Sequence, residues 1–108
     1  MVDQQDEQQT WKVQIENEAT EIFSGTDLSQ EDKEVIQSWA LFVKKHGPDE
    51  FRNRPGMWAD HALYGDRRGE RASSFSNRGR IVYRVDEKNK IVVVTKITHE
   101  HDYKKGKR

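Results

Sequence analysis

Residues Asp60–Tyr103 read DHALYGDRRGERASSFSNRGRIVYRVDEKNKIVVVTKITHEHDY. Within this stretch, Gly79–Asp86 alternates cleanly: Ile81, Tyr83 and Val85 fall on one face, and Arg80, Val82 and Arg84 on the other. Successive side chains of a strand point to opposite sides of a sheet, so this is the pattern of a strand with one apolar and one basic face. Lys90–Thr98 (KIVVVTKIT) has the strongest β-propensity in the chain, and Asp86–Asn89 (DEKN) supplies the turn before it. Arg71–Asn77 reads as a further strand, joined to the next by a tight turn at Asn77-Arg78-Gly79. Three antiparallel strands in succession are predicted.

Working outward, Thr10–Asn17 (TWKVQIEN) alternates Trp11, Val13 and Ile15 with polar neighbours, a period of two that predicts an N-terminal strand. Glu18–Asp27 places Ala19, Ile22 and Phe23 at helical spacing and breaks at Ser24-Gly25, which predicts a short helix. A second, longer helix starts after Ser29. Its serine can cap the first turn, Glu31, Asp32 and Glu34 sit near its positive end, and Lys44, Lys45 and His46 near its negative end. Val35, Ile36, Trp39, Ala40, Phe42 and Val43 form its apolar stripe, and Gly47-Pro48 stops it. Residues 48–60 read as a loop broken by Pro48, Pro55 and Gly56, with Phe51, Met57 and Trp58 pinning it to the core. Trp11, Trp39 and Trp58 are expected in the core. The predicted class is α+β: a small antiparallel sheet, made of the N-terminal strand and the C-terminal meander, with two helices on one face. The other face is left to Arg and His side chains.

At 108 residues the chain is expected to be one domain over residues 10–103, preceded by a disordered segment over 1–9 and followed by a basic tail over 104–108. Mean hydropathy is −1.09 and 35% of residues are charged, so the core must lean on its ten aromatic Phe, Trp and Tyr residues. There is no cysteine, which excludes a disulfide framework and a thiolate metal site and fits a reducing compartment. No stretch is long and apolar enough for a membrane span or a signal-peptide core, so a soluble cytoplasmic protein is expected, with no membrane partner. The formal net charge is zero, yet residues 1–34 carry ten acids against two lysines, a charge of −8, and the remainder carries +8. Arg outnumbers Lys over residues 52–84. A basic, arginine-weighted region is the usual footprint of a polyanion partner.

The chemistry-bearing residues of the basic region suit RNA cleavage. The four histidines are His46, His61, His99 and His101. His46 reads as a charge partner for a helix C-terminus. His61 and His99 can carry general acid–base work near neutral pH. Arg80 can hold non-bridging phosphate oxygens with its planar fork. His61, His99 and His101, with Glu100, also have the composition of a zinc site, but the neighbouring basic tail KKGKR disfavours added positive charge. No metal and no small-molecule cofactor is expected. Arg67, Arg68, His101 and Lys104 are candidate RNA contacts.

The order of these pieces resembles the RelE/ParE superfamily of bacterial type II toxins, over about residues 11–103. GRIVYRVDEKNKIVVV is similar to the family's strand pair, in which an Arg precedes an apolar run ending in Tyr. DHALYGDRRGER resembles the segment before that pair, and Asp60-His61-Ala62-Leu63-Tyr64-Gly65 the Asp-His-x-Leu-x-Gly of the YafQ-like branch. THEHDY resembles the C-terminal end, where a His is followed by an aromatic. Glu70 stands where an aromatic is usual, and Ser74 where the YafQ-like branch has His. The resemblance implies an mRNA interferase, a metal-free endoribonuclease acting on the ribosome and silenced by a cognate antitoxin. It assigns catalytic positions to His61, Arg80, His99 and Tyr103, and RNA-contact positions to Arg71 and Arg78. Two alternatives stand beside it: a ParE-like toxin that inhibits DNA gyrase without catalysis, and a catalytically silent RNA-binding module.

Overall fold

The computed structural model describes residues 10–99. The chain runs β1 (Lys12–Ile15), α1 (Asn17–Ser24), α2 (Gln30–His46), two single-turn helices α3 (Glu50–Asn53) and α4 (Pro55–Trp58), then β2 (His61–Ala62), a 3-10 turn at Gly65–Arg67, β3 (Arg71–Ser74), β4 (Arg80–Asp86) and β5 (Ile91–Thr98). The five strands form one sheet in the order β1-β5-β4-β3-β2. The α+β class and the C-terminal meander are as the sequence predicts. No helix among the described residues is long and apolar enough to cross a membrane. The calls on residues 1–9, 104–108, His101 and Tyr103 lie outside the described residues.

Three features differ from the sequence reading. First, β1 pairs with β5 in parallel, with Val13 opposite Val92 and Ile15 opposite Val94, so the sheet is mixed. A hairpin would force antiparallel pairing, but β1 is followed by two helices, and such an excursion permits a parallel return. Second, His61 and Ala62 add a fifth, edge strand opposite Ala72 and Arg71. Third, β3 ends at Ser74, and Phe75–Gly79 make the connection, closed by the Phe75 amide on the Gly79 carbonyl.

Helix α2 has the ends its sequence encodes. Ser29 Oγ accepts from the Asp32 amide at 3.0 Å, and the basic last turn holds Lys44, Lys45 and His46. Gly47 ends it at φ 84° with its amide on the Val43 carbonyl. A Cβ at Gly47 would stand 2.8 Å from Trp11 Nε1, so glycine also allows β1 to approach. The Trp11 amide donates to the Lys44 carbonyl and fastens β1 to the end of α2.

The core lies between the helices and one face of the sheet. Trp39, Phe51, Ile81, Tyr83, Val43 and Val92 are its largest fully buried apolar side chains. Trp39 stacks on Phe51 at 6.1 Å and meets Tyr83 at 5.3 Å, and Phe42 packs on Phe51 and Trp58. Phe51 and Trp58 therefore pin the 48–60 segment as expected. Met57 does not: it is 52% exposed. Trp11 and Trp58 pack at the core's margin. A bulge between Val82 and Tyr83 leaves Thr95 as the extra residue of β5, so Val92, Val94 and Ile97 all reach the core despite their uneven spacing.

One polar cluster is built into this core. Asp60, whose side chain is 1% exposed, accepts from Arg71 Nε at 2.6 Å, Ser73 Oγ at 2.6 Å and the Tyr83 hydroxyl. Ser73 Oγ in turn accepts from Trp39 Nε1 at 2.9 Å. Burial and the Asp60 carboxylate push the Tyr83 phenol far above its ordinary range, so it stays a donor.

Asp60→Ala should lower stability by about 3–5 kcal/mol, the cost of stripping one partner from a buried ion pair. Equilibrium urea unfolding checks this, and a loss below 1 kcal/mol would mean the cluster is held without its carboxylate. Gly47→Ala should cost roughly 1–3 kcal/mol through backbone strain, read in the same unfolding experiment.

Candidate active site on the open sheet face

The sheet face opposite the helices is set by register. His61 lies opposite Ala72, Ala72 opposite Val82, and Val82 opposite Lys96, so these four form one row across the sheet. Ser74, Arg80 and Thr98 form a second row nearer the β3–β4 turn. Ala72 and Val82 are buried and make a floor, with His61 at one edge and Lys96, Arg80 and Arg84 around it. With strands about 4.8 Å apart and about 3.4 Å of rise per residue, the backbones of His61 and Arg80 are about 12 Å apart. Their long side chains can flank a single phosphodiester.

Arg80 is anchored through one nitrogen. Its Nη1 donates to the Gly79, Ser76 and Asn77 carbonyls at 2.8, 3.3 and 3.3 Å. Nε and Nη2 take no partner among the described residues and remain for a ligand. His61 is exposed, and its Nδ1 donates to the Ala59 carbonyl at 3.1 Å. A carbonyl can only accept, so in the neutral ring this bond places the proton on Nδ1 and leaves the lone pair on Nε2.

His99 follows Thr98, which pairs with Arg80, so the two predicted catalytic residues share one end of the sheet. Its side chain turns to the helix side and is buried, with Nε2 3.9 Å from Asp27 Oδ2 in the α1–α2 connection. A cleft of about 340 Å³ opens there, lined by His99, Asp27, Asp32, Asn77 and Arg78. Arg78, on the β3–β4 turn, and His99 thus line the same cleft.

The remaining candidates divide. Arg71 is on the helix face, where its Nε is spent on Asp60; desolvation opposes its charge, and the Asp60 bonds more than restore it. Arg67 stays on the open side and donates to Glu70 at 2.7 Å. Arg68 is exposed and lines a second cleft with Leu63, Tyr64 and Val85, away from His99. His101, Tyr103 and Lys104 lie outside the described residues. Among the described residues no group of three His, Asp or Glu side chains is arranged to hold a metal ion.

Sequence reasoning missed Glu70, Thr95, Arg84 and Lys96 on the open face. Glu70 Oε2 accepts from Thr95 Oγ1 at 2.7 Å. Burial would raise its carboxyl, but the Thr95 and Arg67 hydrogen bonds and the charges of Arg67 and Arg84 outweigh it and hold it below the usual range. The alternation of Arg80, Val82 and Arg84 was the available signal for Arg84. The bulge that turns Thr95 outward leaves no mark in composition.

No protein-family model and no curated protein matches the chain. Solved structures do. RelE in the archaeal RelE–RelB complex from Pyrococcus horikoshii OT3 superposes with a TM-score of 0.65 at 14% identity, covering 83% of this chain and 94% of that one. YoeB in a YoeB–YefM complex from Staphylococcus aureus gives a TM-score of 0.66 at 14% identity, covering 82% and 95%. A YafQ mutant from E. coli gives 0.56 at 11% identity, covering 86% and 97%. The helix pair, the parallel edge strand and the meander of this chain thus make up the fold of the RelE/ParE-like toxins.

Proposed function

We propose that this chain is the toxin of a type II toxin–antitoxin pair and a metal-independent endoribonuclease that cuts mRNA, engaged with the ribosome, by attack of the RNA's own 2′-OH. The observation that carries the reading is the Arg80–Thr98 pairing, which brings an arginine with two available donor nitrogens to the same sheet end as His99. The toxin fold and the basic C-terminal two-thirds of the chain support it.

The chemistry needs a base for the 2′-OH proton, a cation for the phosphorane and an acid for the leaving 5′-oxygen. His61 offers Nε2 as base and Arg80 grips the non-bridging oxygens on the open face, while His99, turned to the helix side at the same sheet end, serves as the acid only by rotating out around that end. The 2′-oxygen forms a bond to phosphorus as the bond to the 5′-oxygen breaks, giving a 2′,3′-cyclic phosphate and a free 5′-OH. Tyr103 stacks a base or orients phosphate, and Arg78, His101 and Lys104 extend the contact surface. Because the nucleophile is already in the substrate, no metal-bound water is required. RelE and YoeB were found with RelB and YefM, respectively, and a cognate antitoxin is the matching partner for this chain.

Expression without a partner should stop growth and fragment mRNA, read by mapping mRNA 5′ ends. Arrest with intact mRNA and disturbed supercoiling would replace this reading with gyrase inhibition. Arg80→Ala and His99→Ala should each lower cleavage by roughly 10²-fold or more, with melting curves showing retained fold. Wild-type rates in both would misplace the active site. Cleavage should persist in excess EDTA, with ribosome integrity held separately, and should vanish when the nucleotide at the cut site is 2′-deoxy. Loss of activity in EDTA that zinc restores would reject the metal-free mechanism.

A further inference from the structure

Glu70 is in an unexpected place for a chain read as an RNA-cleaving toxin, the reading on which this inference rests. It precedes β3, yet its carboxylate reaches Thr95 on β5, so the side chain crosses β4 on the open face. It is 17% exposed there and accepts from Arg67 Nη1 and Thr95 Oγ1, both at 2.7 Å. Arg84 bears on the same carboxylate. Lys96, opposite Val82, is exposed on the same face. An acid has thus been drawn into a position where two guanidinium groups and a hydroxyl from three different elements converge, with Lys96 exposed beside Thr95 on β5.

We propose that this is a phosphodiester-binding subsite formed by Arg67, Arg84, Lys96 and the Thr95 hydroxyl, and that Glu70 is its internal occupant, which an incoming RNA phosphate must displace. A carboxylate and a phosphodiester each carry one negative charge and accept from the same donors. The subsite is separate from the Arg80–His99 end: Arg84 is four residues along β4 from Arg80, about 13 Å by strand rise. It would hold the phosphate of a neighbouring nucleotide while Arg80 holds the one to be cut.

The two acids on this face differ in how firmly they hold. Glu16 meets Arg84 at 3.2 Å with both side chains about half exposed, at 47% and 52%. Such a surface pair is weak and gives way readily to phosphate. Glu70 is largely dry and doubly hydrogen-bonded, so it opposes RNA binding more strongly. The arrangement sets a threshold: a strand that engages only this subsite competes with Glu70, whereas one that also fills the Arg80 end overcomes it.

The test is binding of a fluorescein-labelled 2′-O-methyl RNA dodecamer, which cannot be cut, measured by anisotropy over a salt series with the full chain. Glu70→Gln keeps an acceptor for Arg67 and Thr95 but removes the charge. It should tighten binding roughly tenfold at low salt and steepen the salt slope by about 0.7, the increment for one more phosphate contact on a single strand. Arg84→Ala and Lys96→Ala should each weaken binding and flatten the slope by a similar step, while Lys88→Ala, in the β4–β5 turn, should behave as wild type. Unchanged or weaker binding by Glu70→Gln overturns the occupant role. Arg84→Ala and Lys96→Ala indistinguishable from Lys88→Ala overturn the subsite. The probe reports on binding alone. Tighter binding by Glu70→Gln in a protein whose wild type leaves unmodified mRNA intact would keep the subsite and remove the nuclease.

Discussion

The buried Asp60 carboxylate is the constraint on which the placement of the open-face residues depends. It draws Arg71, Ser73 and Tyr83 toward the helices, and through Ser73 it reaches Trp39 in the middle of α2. Strand alternation then decides the rest. With Asp60 turned inward, His61 is turned outward. With Arg71 inward, Glu70 is outward. The same cluster therefore ties β2 and β3 to the core and aims the acid and the imidazole that flank them across the open face.

This is also where the sequence was least legible. The α2 boundaries, the β4 and β5 strands and the anchoring of Phe51 and Trp58 follow from signals a few residues apart: a cap, a glycine stop, a period of two. Arg71 was expected as an RNA contact from the family resemblance. In the structure its Nε is held by Asp60, eleven residues away in the segment read as a loop. The direction of β1 is likewise invisible, because alternation is the same whichever way a strand runs. His99 was expected on the open face with Arg80; the two share a sheet end, but their side chains lie on opposite faces. Its turn to the helix side and its burial against the α1–α2 connection depend on where that connection lies, which no local pattern encodes.

Charge segregation along the sequence takes on a different meaning in three dimensions. The acidic N-terminal part supplies Glu16 to Arg84, and the basic part supplies its own Glu70 to Arg67. The open face is thus less positive than the arginine count suggests. Two of its cations are already answered by carboxylates of unequal exposure, while Arg80 spends one nitrogen on neutral carbonyls and meets no carboxylate among the described residues. Since phosphate affinity scales with the cations left to neutralise it, Arg80 and Lys96 stand out as two on this face that no carboxylate answers among the described residues.

The hold on Arg80 relies on the turn beneath it. Gly79 lies so close to the Phe75 ring that a Cβ would enter it, and the same Cβ would stand 2.6 Å from Ser76 Oγ. Phe75 is a buried core residue, and Ser76 Oγ accepts from the Gly79 amide at 2.9 Å. The turn can therefore relax neither toward the core nor away from it without losing a contact. Its three carbonyls are held at fixed positions, and they hold Arg80 Nη1. A guanidinium gripped in this way loses little freedom on meeting a phosphate, so more of its interaction energy is available to a transition state. The rigidity of this end of the face comes from an aromatic ring packed in the core, transmitted through a glycine to the turn that Arg80 caps.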